Sequence, residues 1–320
     1  MKRLVLLLLY SVFVFGSCQY IDWDEFKKRK EQEKEEKDDR DEEDKKDDSE
    51  NDDDDDSDLE DIELLGFDIN GKGQIEVYNV YPAQKKVEEM LEISGPKYYA
   101  LGELAFERSN AYLAISDPNS TIIYDVYGKK KVDEINQMFM LERDDYNGNF
   151  YGIKTSNKRL TIYQYNISSE SVSIISSIDN ISGVMAGSSG FAVELGLYFF
   201  NTTNGLEIVD VYNKKRIKTV SGIQEAEYDP ENNRLIGLST SQTKRGTLVA
   251  YDLENEKLTE LGKLDGFMAY VPGSTSFDYV NQLYIMKTAD GISFFDIDEL
   301  DVYWEITTTD LDFVELAYQL

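Results

Sequence analysis

Histidine is absent from the 320-residue chain, and cysteine occurs once, at Cys18. Without histidine, Ser-His-Asp and Cys-His catalysis, histidine-ligated zinc and imidazole proton transfer are all excluded. A single cysteine cannot form an internal disulfide bond. The chemistry that remains depends on carboxylates, hydroxyls, amides and a small number of basic side chains.

Basic residues are scarce, because 33 Lys and Arg face 63 Asp and Glu, which gives a formal net charge of −30. Nucleic-acid binding requires a basic surface that neutralises phosphates, so we expect no nucleic-acid partner. Residues 22–61 hold 24 acidic and 9 basic residues, a net charge of −15. Since this segment has almost no apolar side chains, residues 18–61 are predicted to form a disordered acidic tether.

The amino terminus reads MKRLVLLLLYSVFVFGSC, with a basic start, an apolar run over residues 4–15 and small residues before Cys18. Signal peptides have this order, and the run is too short to span a bilayer comfortably. Residues 15–18, FGSC, resemble a bacterial lipobox. The resemblance implies that residues 1–17 are a lipoprotein signal peptide and that Cys18 is lipidated. The expected location is the bacterial cell envelope, on the periplasmic or surface side of the outer membrane. A secreted, unlipidated protein is the alternative.

A repeated phrase organises the rest of the chain. Residues 122–132, IIYDVYGKKKV, and residues 208–217, IVDVYNKKRI, are near copies, and four weaker copies surround them. The positions we align across the six copies are Asn79, Asp125, Gln164, Asp210, Asp252 and Asp296. Their spacings of 46, 39, 46, 42 and 44 residues are typical of propeller blades.

A second landmark recurs between the copies. It is a small or acidic residue followed by glycine, at Ser94-Gly95, Ser182-Gly183, Ser221-Gly222 and Asp265-Gly266. We predict that these pairs mark the passage from one blade to the next. Val, Ile, Tyr, Phe and Thr dominate with an alternation of period two, which indicates four strands per unit and argues against helical repeats.

The two ends of the repeat region predict how the ring closes. Residues 62–93 supply only three strands, and the last run, FVELAYQL over residues 313–320, is similar to the first strand of the other units. Pairing of this run with the first unit would leave no open edge. We therefore predict an all-β fold over residues 62–320, a six-bladed β-propeller of four-stranded blades closed by the C-terminal strand.

Two copies carry a resemblance to known families. Tyr124-Asp125 followed by Gly128-Lys129, and Tyr251-Asp252 followed by residues 256–257, resemble the bacterial propeller-repeat families of the YVTN and quinoprotein-like kind. The resemblance implies the fold, but a fold does not imply a function. The docking tryptophans of the quinoprotein class have no counterparts, so we expect no quinone and no other cofactor.

Basic turns between third and fourth strands are predicted to share the face at which the chain enters the propeller. They are Lys85-Lys86, Lys129-Lys130-Lys131 and Lys214-Lys215-Arg216. We expect them to face an anionic membrane surface or the acidic segment. Ordinary solubilising turns are the alternative.

The functional hypothesis is a membrane-tethered, non-catalytic propeller that binds a protein or another envelope component through loops on the opposite face. The loop TSQTKRGT over residues 240–247 is the longest of these, and Lys244 and Arg245 are its candidate contact residues.

An enzyme is the alternative function. Without histidine it would be a glycosidase or lyase with paired carboxylates in the central funnel. The candidates are Glu103, Glu142, Asp144, Glu225, Glu227 and Glu315. Spacing does not select a pair among them, so we assign no catalytic residue. In DINGKG, residues 68–73, Asp68 and Asn70 match part of a calcium loop, but no bidentate glutamate follows, which favours a simple turn and no metal site.

Overall fold

The structure is a computed structural model that describes part of the chain. It covers residues 63–69, 74–93, 104–107, 111–116, 119–144, 146–181, 183–267, 270–288, 291–307 and 315–319. The predicted signal peptide, Cys18 and the acidic tether lie outside the described residues. Within the described part, no helix combines the length and the apolar character needed to cross a bilayer.

The described residues form 24 strands and two short 3-10 turns. The first twelve strands are β1 (Glu63–Ile69), β2 (Ile75–Tyr81), β3 (Lys86–Ile93), β4 (Leu104–Glu107), β5 (Tyr112–Ser116), β6 (Ser120–Asp125), β7 (Lys130–Asn136), β8 (Phe139–Asp144), β9 (Asn149–Ser156), β10 (Arg159–Asn166), β11 (Ser171–Asp179) and β12 (Val184–Ala192). The remaining twelve are β13 (Leu197–Thr202), β14 (Gly205–Asp210), β15 (Lys215–Val220), β16 (Ile223–Asp229), β17 (Arg234–Ser239), β18 (Thr247–Asp252), β19 (Lys257–Lys263), β20 (Tyr270–Asp278), β21 (Leu283–Thr288), β22 (Gly291–Asp296), β23 (Val302–Thr307) and β24 (Glu315–Gln319).

The strands form six four-stranded antiparallel sheets, and each sheet is one blade of a β-propeller. Blades 2 to 6 use four consecutive strands each, whereas blade 1 consists of β24, β1, β2 and β3 from the inside outwards. The innermost strands contact each other in sequence around the ring, and β24 contacts β4 to complete it. The predicted six-bladed fold and its closure by the C-terminal strand are confirmed.

Antiparallel strand order places the turns of each blade alternately on two faces of the ring. The lower face carries the turns between first and second strands and between third and fourth strands. The upper face carries the turns between second and third strands and the connections between blades. These connections contain Gly183, Gly222 and Gly266 as predicted, whereas residues 94–95 lie outside the described residues. Because β1 is a second strand, the chain enters the ring at the lower face.

The turns between third and fourth strands have four residues in blades 1 to 5 and five in blade 6, and in all six turns the fourth residue has a left-handed backbone with φ between 49° and 62°. These fourth residues are Lys85, Lys129, Glu170, Lys214, Glu256 and Leu300. In blades 2 to 6, a side-chain oxygen at the end of the third strand accepts a backbone N–H of the turn at 2.7–2.9 Å. This hydrogen bond explains why Asp or Asn recurs at that position.

The alignment predicted from the sequence is wrong at two of the six positions. Asn79 and Gln164 lie inside strands, and the turns begin after Tyr81 and Asn166. The left-handed residues give the corrected spacings of 44, 41, 44, 42 and 44 residues. In blade 3 the sequence YQYN offers two registers two residues apart, and the strand pairing selects the later one.

Each outer strand contains one β-bulge, and the bulged residue is apolar or aromatic in all six blades. The bulged residues are Met90, Val132, Ile175, Ile217, Leu261 and Tyr303. They follow the left-handed turn residue by five positions in odd-numbered blades and by three in even-numbered blades. The propeller is therefore built from three two-blade units, which explains why the two near copies of the phrase lie in blades 2 and 4.

The two-blade unit also positions the innermost strands. In blades 3 and 5, Met140 and Glu225 have positive φ and form bulges. A buried tyrosine of the following blade donates a hydrogen bond to each bulge. Tyr198 Oη donates to the Met140 carbonyl at 2.6 Å, and Tyr284 Oη donates to the Glu225 carbonyl at 2.5 Å. Gly237 lies against the second bulge, where an added Cβ would come within 2.5 Å of a backbone oxygen. Glycine is therefore required there.

Apolar side chains fill the space between adjacent blades. Between blades 3 and 4, the Tyr151 and Phe191 rings stack with centroids 5.1 Å apart. At the closing interface, Leu64 and Val80 of blade 1 pack with Phe294 of blade 6. Full burial of each such side chain stabilises the fold by roughly 1.5–3 kcal/mol. The closing interface is thus a packed core like the other interfaces.

Truncation after residue 307, which removes β24, should lower the melting temperature by ~10 °C or more, because several kcal/mol of pairing and packing are lost. Thermal unfolding followed by circular dichroism measures this effect. Deletion of residues 24–58 is the control and should change the melting temperature by less than ~2 °C. Small and equal effects of the two deletions would show that β24 does not close the ring.

Candidate binding surface

The predicted contact residues Lys244 and Arg245 lie on the upper face, between β17 and β18. Both are exposed, and Gln242–Lys244 forms a 3-10 turn. The Lys244 ammonium pairs with Glu260 of the outer strand β19 at 2.5 Å, so its charge is partly compensated. The exposure agrees with the sequence-based expectation. Binding at this loop stays a prediction.

Two of the funnel carboxylates form hydrogen bonds between blades. Ser189 Oγ donates to Glu142 at 2.8 Å, and Thr275 Oγ1 donates to Glu227 at 2.7 Å. Both bonds join an innermost strand to that of the next blade, and they repeat with the two-blade unit. These carboxylates therefore connect neighbouring blades.

The other carboxylate candidates lie elsewhere. Asp144 is buried at the lower end of β8, where it accepts hydrogen bonds from the Asn147 backbone at 3.1 Å and side-chain amide at 2.9 Å. Glu225 is 1% exposed within its bulge. Glu103 and the side chain of Glu315 are outside the described part of the chain. Among the described residues, no three acidic or cysteine side chains are grouped so that they could hold a metal ion.

Burial raises the pKa of Glu142 to about 7, although the hydrogen bond from Ser189 acts in the opposite direction. The folded protein therefore keeps this proton over a pH range in which the unfolded chain has lost it. Since the native state then binds more protons than the unfolded state, stability falls as pH rises from about 4.5 to about 7. Below about pH 4.5 the carboxyl is protonated in both the folded and the unfolded state, so Glu142 then causes no loss of stability.

Glu142→Gln should remove this pH dependence, which amounts to at most ~1.4 kcal/mol per pH unit. Urea unfolding of the wild type and the variant between pH 4 and pH 8 gives the difference directly. Glu299→Gln, at an exposed turn, is the control and should follow the wild-type profile. An unchanged slope in Glu142→Gln would show that this carboxyl is ionised in the folded protein throughout.

Large apolar side chains are exposed in one sector of the described propeller, formed by blades 2 to 4. They are Tyr127 (69% exposed), Tyr146 (78%), Val172 (46%), Ile174 (58%), Tyr212 (39%) and Ile217 (46%). The three tyrosines lie in lower-face turns, and the aliphatic residues lie in the outer strands β11 and β15, which contact each other. We call these six residues the blade 2–4 surface. Grouped exposed apolar residues are typical of protein interaction sites.

Tyr212 is held in place by blade 3. Its hydroxyl accepts a hydrogen bond from the Asn147 side-chain amide at 2.9 Å and donates one to the buried Asp144 carboxylate at 3.2 Å. Burial raises the pKa of Asp144, while its hydrogen bonds with Asn147 and Tyr212 oppose this effect. Gly196, with φ of 60°, supports the ring, because an added Cβ would lie 2.3 Å from it. The surface is thus preorganised by side-chain hydrogen bonds and close packing.

Basic turns border the blade 2–4 surface. Lys129, Lys214 and Lys215 are exposed and have no ion pair within the described structure. Arg216, in contrast, is bidentate to the buried Glu207 carboxylate at 2.8 and 3.1 Å. The corresponding turns of blades 5 and 6 are acidic, with residues 254–256 and 298–299. The lower face therefore has a basic, aromatic side and an acidic side.

The sequence analysis located the basic turns but missed the exposed tyrosines. The signal was present, because VYGK and VYNK place an aromatic residue at the second turn position. The first residue of each turn, Val126 or Val211, is buried, and the tyrosine after it is exposed. Only the arrangement of the blades shows that these turns lie in neighbouring parts of one face.

No family model matches the chain, and no curated protein matches it in sequence. A chain of the nidogen/laminin complex is similar in structure, with 10% identity and a TM-score of 0.57, over 79% of this chain and 97% of that chain. Hydrazine synthase of Kuenenia stuttgartiensis has 12% identity and a TM-score of 0.49, over 74% and 76%. TolB of Acinetobacter baumannii has 14% identity and a TM-score of 0.40, over 73% and 66%. At these identities the first similarity supports the fold alone, a six-bladed β-propeller.

Proposed function

We propose that the chain is a non-catalytic, protein-binding β-propeller anchored to a membrane of the bacterial cell envelope. The observation that carries the proposal is the blade 2–4 surface, because all exposed large apolar side chains of the described residues lie in these three blades. Large apolar side chains that are exposed in one region of a protein surface often mark a site where a partner binds. Aromatic residues are also enriched where proteins meet.

Two further observations support binding over catalysis. The candidate carboxylates Glu142, Glu227 and Asp144 form hydrogen bonds that join blades or hold turns. A chain of the nidogen/laminin complex has a similar fold, so a propeller of this shape is compatible with protein association.

The anchor is inferred from the amino terminus. Cys18 follows a signal-peptide pattern that resembles a lipobox. Stable membrane attachment requires more than one acyl chain, and bacterial lipoproteins carry several. The acidic residues 22–61 would then separate the lipid from the propeller, in an extended segment of up to roughly 140 Å.

Cys18→Ser should abolish lipidation, so that residues 1–17 stay attached and no acyl mass is present, whereas the mature wild-type protein should partition into the detergent phase. Mass spectrometry of the mature amino terminus and Triton X-114 partitioning measure both effects. Wild-type protein recovered from the aqueous phase without acyl mass would contradict the anchor.

Tyr127→Ser combined with Tyr146→Ser should reduce capture of envelope partners by at least about tenfold, since both rings lose exposed contact area. Quantitative crosslinking in cells, with mass spectrometry of the captured proteins, measures the loss. Arg245→Glu combined with Lys244→Gln tests the upper-face loop in parallel.

Dependence on Arg245 but not on the tyrosines would place the partner on the upper face instead. Equal capture by all variants, together with hydrolysis of an envelope glycan that is lost in Glu142→Gln or Glu227→Gln, would contradict the binding function and favour a glycan-acting enzyme.

A further inference from the structure

The outer strand β11 has an uncharged edge. It reads SVSIISSID, so charge is confined to its two ends, at Glu170 just before the strand and at its last residue, Asp179. β3 and β7 contain four charged residues each, and β15 and β19 contain three each. Charged side chains on an edge strand discourage pairing with another chain. The edge of β11 lacks this protection.

β23 also has few charges, but its aromatic residues are covered. The Trp304 ring stacks on Phe294 with centroids 4.7 Å apart, and the Lys85 ammonium lies over the Tyr303 ring. In β11, by contrast, residues 171–174 are all exposed. Within the described structure, β11 is therefore the outer strand with an uncovered and uncharged edge.

The two apolar residues of this edge point to the same side of blade 3. Val172 and Ile174 are two positions apart and precede the bulge at Ile175, so their side chains lie on one face of the strand. They are 46% and 58% exposed. Val172 also lines a cavity of about 540 Å³, whose other walls come from blade 2 and include Ile135. The exposed apolar face of β11 therefore borders an open cavity between blades 2 and 3.

The exposed part of β11 is self-complementary in an antiparallel strand pair. When Ser173 lies opposite Ser173 of a second copy, Val172 of each chain lies opposite Ile174 of the other. Residues opposite each other point to the same face of the joined sheet, and β-branched pairs of this kind stabilise it. Symmetry provides the contact twice, and each Ile174 then lies beside Val172 at the cavity of the other copy. A pair centred on Val172 would instead place the acidic Glu170 opposite Ile174.

The charges beside β11 are compatible with this pair. Antiparallel strands point the lower faces of the two copies in opposite directions, so the basic turns of one copy do not face those of the other. In the register centred on Ser173, Glu170 approaches Ser176 of the second copy, and Asp179 of that copy lies three residues further away, roughly 10 Å. Within residues 170–179, no like charges therefore lie opposite each other.

We propose that two copies of this chain form a symmetric dimer in which their β11 strands pair antiparallel over residues 171–174, with Ser173 on the two-fold axis. The third blades of both copies then form one continuous sheet of eight strands. Two-fold dimers are the commonest oligomers of soluble proteins, and their interfaces are self-complementary in this way. The inference goes beyond the proposed function. It assigns Val172 and Ile174 to a second copy and leaves the three exposed tyrosines for another protein.

Cysteine crosslinking of the full-length protein in the cell envelope tests the register. Ser173→Cys should form a disulfide-linked dimer under mild oxidation, because opposite residues of an antiparallel pair have Cα atoms about 4.5–5.5 Å apart. Ser171→Cys is the matched control, since it is also exposed but its two copies would be about 14 Å apart, too far for a disulfide bond. It should give at least about tenfold less dimer on a non-reducing gel. Wild-type protein, whose one cysteine is Cys18, shows the background.

Sedimentation of the detergent-extracted full-length protein over a range of concentrations measures the dimer without a crosslink. The wild type should approach the mass of a dimer as concentration rises. Ile174→Lys should raise the dissociation constant of the dimer at least about tenfold, because symmetry places two ammonium groups in the strand pair. Thr259→Lys, at an exposed position of the outer strand β19, is the matched control and should dimerise as the wild type does. Thermal unfolding of each variant confirms that it is folded.

Three outcomes would overturn the dimer. They are a monomer mass at every concentration, equal crosslinking of Ser171→Cys and Ser173→Cys, and crosslinking of Ser173→Cys to a different protein. A monomer that still captures partners through Tyr127 and Tyr146 would reject the dimer and keep the proposed function. A Ser173-linked dimer whose partner capture does not depend on these tyrosines would keep the dimer and count against the proposed surface.

Discussion

Backbone pairing between β24 and β1 is the constraint on which the rest of the propeller depends. Without it, the ring would expose an open edge on blade 1 and leave the interface between blades 6 and 1 without its innermost strand. The other blades contact each other in sequence, so every interface is in place only when the ring is complete. A residue in one blade is therefore fixed by strands far away in the chain.

The ring is built in two-blade units, and the hydrogen bonds between blades repeat with the same period of two blades. The backbone carbonyls of the bulge residues Met140 and Glu225 each accept a hydrogen bond from a tyrosine hydroxyl of the next blade. The carboxylates of Glu142 and Glu227, two residues further along, each accept a hydrogen bond from a serine or threonine hydroxyl of the next blade. A carboxylate that accepts such a hydrogen bond connects two blades. Acidic residues in the central funnel therefore do not by themselves indicate catalysis. Paired blades also explain a sequence repeat that is strongest at twice the blade length.

Edges and surfaces differ around the ring because the repeat is not exact. Most outer strands combine a bulge with several charges, whereas β11 retains the bulge and lacks the charges. The same blade lies between two basic turns and beside exposed tyrosines. Loss of edge protection, apolar exposure and flanking charge thus occur in one sector, and this coincidence is the reason why we propose that the sector binds a partner.

The sequence by itself determined the class of fold, the number of blades and the closing strand, because turns, period-two alternation and repeat length are local properties. It misaligned Asn79 and Gln164, since YQYN fits two registers and only pairing with neighbouring strands selects one. The exposure of Tyr127, Tyr146 and Ile174 and the structural use of Asp144 were decided by tertiary structure. These properties depend on which blades pack together, and burial of a side chain is set by neighbours that are distant in the chain.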